Sequence, residues 1–319
     1  MKLFRKIGII GAGCYGTAIA QCFSLKAERV ILISDSATTA TSINKLHMNI
    51  KSLPGVGLSS NLECTTDFSV IRGCDIIFIV VPVMAVESVC RQLQDYKIDK
   101  PIVLCSKGFD VQNGQLQSSL AKSILPNDIA VFSGPSFAKE IAQGLPAGVN
   151  IASENFELAE CIAKSLSSEV FSIVPIEDFA GLQIAGAMKN ILAVGCGILS
   201  GLNMGNSAIA QLIVKGLHEM TEIAAAFGGK KETFFELGGI GDIILTCTSK
   251  QSRNVLFGEY LAQGGKLKNW NGSLVEGAFA AQIIPIFAQK LGVAIPIFSE
   301  IYKVIYEDKC AQDMISAIL

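Results

Sequence analysis

Two histidines and one tryptophan in 319 residues, with no Cys-x-x-Cys spacing anywhere, leave almost nothing from which to build a metal centre. The ten cysteines are scattered along the chain and none lies beside His47 or His218, so no metal is expected. The same scatter, at this length, excludes a small secreted disulfide scaffold and points to reduced thiols in a cytoplasmic protein. Charge is sparse as well: Asp, Glu, Lys and Arg make up 17% of the chain, and 26 basic against 28 acidic residues give a net charge of −2. That balance excludes the basic excess that nucleic-acid binding demands. There is no charge run, internal repeat or low-complexity tract. Apolar residues are what the chain has in abundance, at 50% of the sequence with a mean hydropathy of +0.46. Such a chain buries a sizeable core and is not disordered.

Two stretches imitate membrane segments. At the start, Lys2, Arg5 and Lys6 precede an apolar run in the manner of a secretory signal, but glycines and Tyr15 interrupt it. Residues 190–214 carry no charge and are long enough to span a bilayer. They also hold Asn203, Asn206 and Gln211 around Gly201 and Gly205, which makes two buried helices and a turn the expected outcome, not a membrane-embedded segment.

Short β-branched runs at 6–10, 30–34, 75–81, 102–105, 129–132, 148–151 and 171–174 alternate with helix-length stretches such as 17–27, 37–48 and 83–94. The early runs are continuously apolar, as strands of a parallel sheet covered on both faces must be. Strand–helix alternation predicts an α/β fold with a doubly wound, Rossmann-type sheet over residues 1–180. Beyond that point the apolar spacing becomes three to four, punctuated by Gly228–Gly229, Gly238–Gly239 and Gly264–Gly265, with Asn271–Gly272 as a further turn. Residues 181–319 are expected to form an all-helical C-terminal domain.

The first strand runs into Gly11-Ala-Gly13-Cys14-Tyr15-Gly16, a G-x-G-x-x-G between a strand and a helix. Gly11 would make the tight turn, Gly13 would let a pyrophosphate approach the backbone, and Gly16 would let helix and strand pack closely; alternatively the glycines serve packing alone. Asp35 closes the second strand about twenty residues on, where a carboxylate accepts ribose hydroxyls and repels a 2′-phosphate. It favours NADH over NADPH there, unless it merely caps the helix near Ala37. Pro82 ends the third strand, and the next two deliver Lys107-Gly108 and Gly134-Pro-Ser136-Phe-Ala138 to the same sheet edge. Lys107 reads as a ligand or a solvated loop lysine, and Ser136 as a ligand or a helix cap.

In the second half, Lys189-Asn190 sits within an apolar helical stretch containing Gly186, Ala187 and Gly195. A desolvated lysine there has a lowered pKa suited to proton transfer; the alternative is a lysine that snorkels to the surface. Asp242, on the Gly-rich run 238–242, would orient an ammonium or cap its loop. Ser252-Arg253-Asn254 opens a helix, where a guanidinium beside helix N–H groups makes an anion site or only an ordinary helix start. No histidine accompanies these motifs, which leaves Lys189 as the acid/base candidate for a dehydrogenase.

GAGCYGTAIA, CSKG at 105–108, GPSFAKEIAQGLPA, QIAGAMKNILAV, GGIGDIILTCTSKQSRN and LVEG at 274–277 occur in one order across nearly the whole chain. In these pieces the sequence resembles the bacterial-type NAD(P)-dependent glycerol-3-phosphate dehydrogenases. The resemblance implies NAD(P)H-dependent, reversible reduction of dihydroxyacetone phosphate to sn-glycerol 3-phosphate, a phospholipid precursor. It implies a helical domain of the phosphogluconate-dehydrogenase kind and a homodimer. Lys189 would be the proton donor and acceptor, with Asp242 holding it. Lys107, Gly134, Ser136, Lys189, Asp242, Ser252, Arg253 and Asn254 would line the substrate pocket, Arg253 holding the phosphate. Cys14, Tyr15, Lys107, Ala138, Arg253, Leu274 and Glu276 would contact the dinucleotide.

Three positions depart from that family. Ile33-Ser34-Asp35 stands where many members have Trp-x-Arg, which removes a partner for a 2′-phosphate. Ile213-Val-Lys-Gly216 stands for Ile-Thr-Arg-Gly, and Cys14 for a commoner Ser or Ala. Two rival readings remain on the residues alone: a related two-domain dehydrogenase of a hydroxy acid or hydroxyacyl thioester, and a non-catalytic dinucleotide-binding sensor.

Overall fold

The computed structural model describes residues 4–315, so Met1 and Lys2, which open the signal-like stretch, lie outside the described residues. The chain divides into two compact units, one made of residues up to 106 together with 117–179, the other of 107–116 together with residues from 180 onward. The sequence reading draws one boundary at 180/181 and does not foresee the excursion at 107–116.

The first unit carries β1 (Lys6–Ile10), α1 (Cys14–Ser24), β2 (Arg29–Ile33), α2 (Ala37–Leu46), β3 (Leu62–Thr65), β4 (Ile76–Ile79), α3 (Val86–Asp95) and β5 (Ile102–Leu104). A two-stranded hairpin, β6 (Phe109–Asp110) and β7 (Gln115–Leu116), then belongs to the second unit. The first unit resumes with α4 (Gln117–Ile124), β8 (Ile129–Ser133), α5 (Ala138–Ala142), β9 (Ala147–Ser153), α6 (Phe156–Leu166) and β10 (Phe171–Ile176). Eight strands form one sheet in the order β10-β9-β8-β5-β4-β1-β2-β3, parallel throughout except where β9 runs antiparallel to β8. The stretch β3-β2-β1-β4-β5-β8 is the doubly wound order, with the reversal between β1 and β4. Ile7, Ile9, Val30, Leu32, Ile76 and Phe78 are buried, as continuous apolar strands between two helical layers require. Phe23 of α1 packs on Phe78 with ring centroids 4.8 Å apart, which ties the first helix to the centre of the sheet.

Some expected bounds shift. Helix α1 starts at Cys14, three residues before the expected 17, because Gly13 is its N-cap. The helix expected from 83 opens as a 3₁₀ turn, Val83–Ala85, before α3. Strand β3, with Glu63 exposed between buried Leu62 and Cys64, is an edge strand that the apolar-run pattern does not register.

The second unit is built on α7 (Phe179–Gly201), followed by α8 (Gly205–Ala226), α9 (Asp242–Thr248), α10 (Arg253–Ala262), α11 (Glu276–Ala281), α12 (Ile284–Lys290) and α13 (Pro296–Tyr306). Among the described residues no strand occurs from 180 onward. Helix α7 is apolar and long enough to cross a bilayer, but 94% of its most apolar window is buried inside the protein, which makes it a core helix. Its neighbours approach at backbone distance. A Cβ on Gly258 of α10 would sit 2.1 Å from Val194 O, and one on Gly277 of α11 would sit 2.2 Å from Asn190 O. These contacts draw the middle of α10 and the N-terminal end of α11 onto α7. Helix α13 is fastened by buried Glu219 of α8, whose carboxylate accepts the N–H groups of Ile297 at 2.8 Å and Phe298 at 3.2 Å.

Candidate functional site

In the first unit the candidate residues gather at the carboxyl ends of β1, β2 and β8. Gly11 has φ +115°, and a Cβ there would lie 2.3 Å from Val80 O, so the turn after β1 presses on the chain leaving β4. A Cβ on Gly16 would lie 1.9 Å from Gly11 O, which closes helix α1 onto its own entry loop. Gly13 differs: its Cβ would meet no protein atom within 4 Å. That combination, two glycines required by packing and one facing open space at a helix N-terminus without a side-chain cap, is a cradle that fits a dinucleotide pyrophosphate. Packing alone therefore accounts for Gly11 and Gly16 but not for Gly13.

Cys14 is exposed at the start of α1. The Tyr15 hydroxyl lies 3.0 Å from Ser136 Oγ, which itself donates to Gly134 O at 3.1 Å. Ser136 is not a helix cap: the N-cap of α5 is Phe137, without a side-chain bond. Ala138, first residue of α5, is half-buried. Gly134 has a packing reason of its own, since a Cβ there would lie 2.6 Å from Val149 Cα. Asp35 is exposed after β2, and Ser36, not Asp35, caps α2 by accepting the Thr39 N–H at 3.3 Å. The capping alternative for Asp35 thus falls away.

In the second unit, three charged residues far apart in sequence meet. Lys189 lies mid-way along α7 and is 5% exposed, so it does not snorkel. Its Nζ donates to Asp242 Oδ1 at 2.7 Å and to Thr246 Oγ1 at 2.5 Å. Lys107, where the chain enters the hairpin, donates to Asp242 Oδ2 at 2.7 Å. Asp242 is 2% exposed and begins α9, so its two oxygens each hold one ammonium. Its approach is a wide turn, Leu237–Gly241, in which Gly239 is pressed against residues 233 and 234.

Burial lowers the Lys189 pKa to about 8: the Asp242 charge pulls it back up in part, and the Lys107 charge pushes it down. For Asp242, burial is the largest single influence and acts upward. The charges and hydrogen bonds of Lys107 and Lys189 together outweigh it and hold the carboxyl below its ordinary value.

A polar chain continues from α7. Asn254 Nδ2 donates to Asn190 Oδ1 at 3.0 Å, Gly277 N donates to Asn254 Oδ1 at 2.9 Å, and Asn190 Nδ2 reaches Glu276 Oε2 at 3.3 Å. Ser252 caps α10 through the Val255 N–H at 3.4 Å, and Arg253, its first residue, is exposed. Leu274 is exposed ahead of α11. The structure thus brings Lys107, Lys189 and Asp242 together directly and joins Asn254 to Glu276 through Asn190. Thr246 is absent from the sequence reading, although its place one turn after Asp242 puts both on one helix face. Among the described residues no group of three or more His, Cys, Asp or Glu side chains could hold a metal.

Comparison with known proteins bears on these two clusters. Residues 6–159 match the family described as NAD-dependent glycerol-3-phosphate dehydrogenase N-terminus, and residues 178–316 match its C-terminus. The chain is 37% identical over 304 residues to glycerol-3-phosphate dehydrogenase [NAD(P)+] of Rhizobium etli, covering 94% of this chain and 93% of the relative. It is 36% identical over 323 residues to glycerol-3-phosphate dehydrogenase [NAD(P)+] 1 of Sphingopyxis alaskensis, covering 100% of this chain and 97% of that one. The crystal structure of glycerol-3-phosphate dehydrogenase from Coxiella burnetii superposes with a TM-score of 0.92 at 33% identity, covering 98% of each chain.

Proposed function

Because the chain belongs to the NAD-dependent glycerol-3-phosphate dehydrogenase family, we propose that it catalyses the reversible reduction of dihydroxyacetone phosphate to sn-glycerol 3-phosphate with NAD(P)H, supplying the glycerophospholipid precursor. The observation that carries this reading is the buried Lys189–Asp242–Lys107 cluster. When bound, the reduced nicotinamide supplies the two electrons and one hydrogen that the carbonyl carbon takes up. Negative charge then develops on the carbonyl oxygen. An ammonium fixed by Asp242 and Thr246 stabilises that charge and yields a proton to it. Of its three N–H bonds, Lys189 spends two on these partners, which leaves the third for the substrate oxygen. Asp242 serves as an anchor: with an ammonium on each oxygen it fixes both lysines in place.

The phosphate is assigned to Arg253 with Ser252 and Asn254, at the start of α10. The G-x-G-x-x-G loop with Cys14 and Tyr15 is assigned to the dinucleotide, together with Asp35, Ala138, Leu274, Glu276 and, jointly with the substrate, Lys107 and Arg253. Asp35 is exposed, and Ser36 already supplies the cap, so its carboxylate is available to ribose hydroxyls and favours NADH. Ten cysteines scattered without Cys-x-x-Cys spacing support a reducing, cytoplasmic location, and the functional unit in this reading is a homodimer.

The test is a progress curve at the reduced-nicotinamide absorbance band with dihydroxyacetone phosphate, run with NADH and with NADPH. Consumption of either, faster with NADH, is the expected result. Protein that binds the dinucleotide but leaves both unoxidised would overturn the substrate assignment.

A further inference from the structure

Asn49 lies in the segment between α2 and β3, outside every motif that the function uses, and is 0% exposed. Its side-chain amide is fully employed. Nδ2 donates to Ala12 O at 3.0 Å and to Thr17 Oγ1 at 2.8 Å, while Oδ1 accepts the Ser52 N–H at 3.1 Å. Its backbone oxygen accepts the Leu53 N–H at 2.9 Å, which fixes the turn that carries it. Ala12 is the residue between Gly11 and Gly13, and Thr17 belongs to the first turns of α1. One buried side chain thus grips the glycine loop and the helix behind it together.

The geometry of a peptide gives this grip a consequence. In a trans peptide the C=O and the following N–H point in opposite directions. Holding the Ala12 carbonyl on Asn49 turns the Gly13 N–H the other way, away from Asn49, at a residue where a Cβ would meet no protein atom within 4 Å. We propose that Asn49 is the positioning residue of the phosphate-binding loop, setting the peptide plane between Ala12 and Gly13 so that its N–H is ready to meet a pyrophosphate oxygen. The inference rests on the dinucleotide reading of that loop. It makes the segment between α2 and β3 part of the cofactor machinery without touching the cofactor. An amide is required there: two donors and one acceptor on a short stem match the three partners, and neither a carboxylate nor an aliphatic chain offers that set.

The experiment measures dissociation constants of the whole chain for NADH, for ADP-ribose, which carries the pyrophosphate, and for adenosine, which lacks it. Asn49→Ala removes all three bonds. Asn49→Asp keeps the size and the acceptor for Ser52 while losing both donors. In either variant, NADH and ADP-ribose are expected to bind about tenfold or more weakly, with adenosine unchanged. KM for NADH should rise while kcat at saturating NADH stays within about twofold, since no group of Asn49 enters the chemistry. A folded variant that binds ADP-ribose like the parent, or that loses kcat with KM unchanged, would overturn the proposal. Failure of both variants to fold would overturn it too, by giving the amide to the stability of the unit as a whole. A parent chain that binds neither NADH nor ADP-ribose would instead sink the dinucleotide reading beneath it.

Discussion

Two buried ionisable residues, Lys189 and Glu219, do opposite things with burial. Lys189 is pushed down to about 8 and remains paired; Glu219 is pushed up to about 7 by burial, against the pull of the Ile297 and Phe298 N–H groups and the His218 side chain. For Lys189 we expect that Lys189→Ala lowers kcat by roughly a thousandfold while NADH binding, for which the glycine loop of the other unit is proposed, changes by less than about twofold. A variant with near-parental turnover would remove the lysine from acid/base work. Glu219 speaks to stability. A carboxyl whose folded pKa lies above its unfolded value favours the fold at low pH, and that contribution is lost as pH rises from the ordinary 4.5 through about 7. Stability against thermal unfolding in this window should therefore fall as pH rises, by at most about 1.4 kcal/mol per unit from this group, and Glu219→Gln should flatten the fall. Parallel curves for parent and variant would contradict it. Asp35→Ala, in turn, should relax discrimination against NADPH by about tenfold, read as the ratio of kcat/KM values. An unchanged ratio would leave Asp35 without a part in cofactor choice.

At the scale of elements, what matters is how closely α10 and α11 come to α7. Gly277 has no room for a side chain against Asn190 O, and its N–H holds Asn254, which in turn holds Asn190 beside Lys189. Gly277→Ala must lift α11 from α7, because a backbone oxygen 2.2 Å away has nowhere to go. The expected outcome is a loss of about 1–3 kcal/mol of stability together with a raised KM for dihydroxyacetone phosphate, measured by denaturation and by kinetics. An unaltered KM would detach the Asn190–Asn254 chain from the substrate. Much of this element layer was legible in the sequence. Helix α7 with its lysine, the strand–glycine–helix start and the Gly-rich approach to Asp242 each combine a periodic apolar pattern with one residue that breaks it. Strand β3 was not legible, because an edge strand with Glu63 facing out reads as loop. Nor was the β6–β7 hairpin, whose strands have two residues each. Thr246 and Asn49 escaped for another reason: both matter through partners, one across helices and one 37 residues back at Ala12, and no local pattern encodes such a partner.

At the scale of the whole molecule, the glycine loop and the Lys189–Asp242–Lys107 cluster belong to different compact units, with Lys107 carried into the second by a ten-residue excursion of the chain. The division predicts separability: NADH should raise the melting temperature of the parent and of Lys189→Ala alike, by an increment worth about 2.7 kcal/mol at a hundred times Kd. An increment lost in the lysine variant would show that nucleotide binding needs the ammonium. In sedimentation the chain should behave as a species of twice its 33.9 kDa, and a monomer would contradict the homodimer.

The measurement that reaches the central claim is the pH profile of kcat/KM for dihydroxyacetone phosphate reduction, taken for the parent chain and for Lys189→Ala. If Lys189 gives the proton, it must be charged, so the parent rate is flat below and falls above an apparent pKa of about 8, while the slow residual rate of the variant lacks that limb. A parent profile with no break near there, or the same break surviving in the variant, would contradict the account.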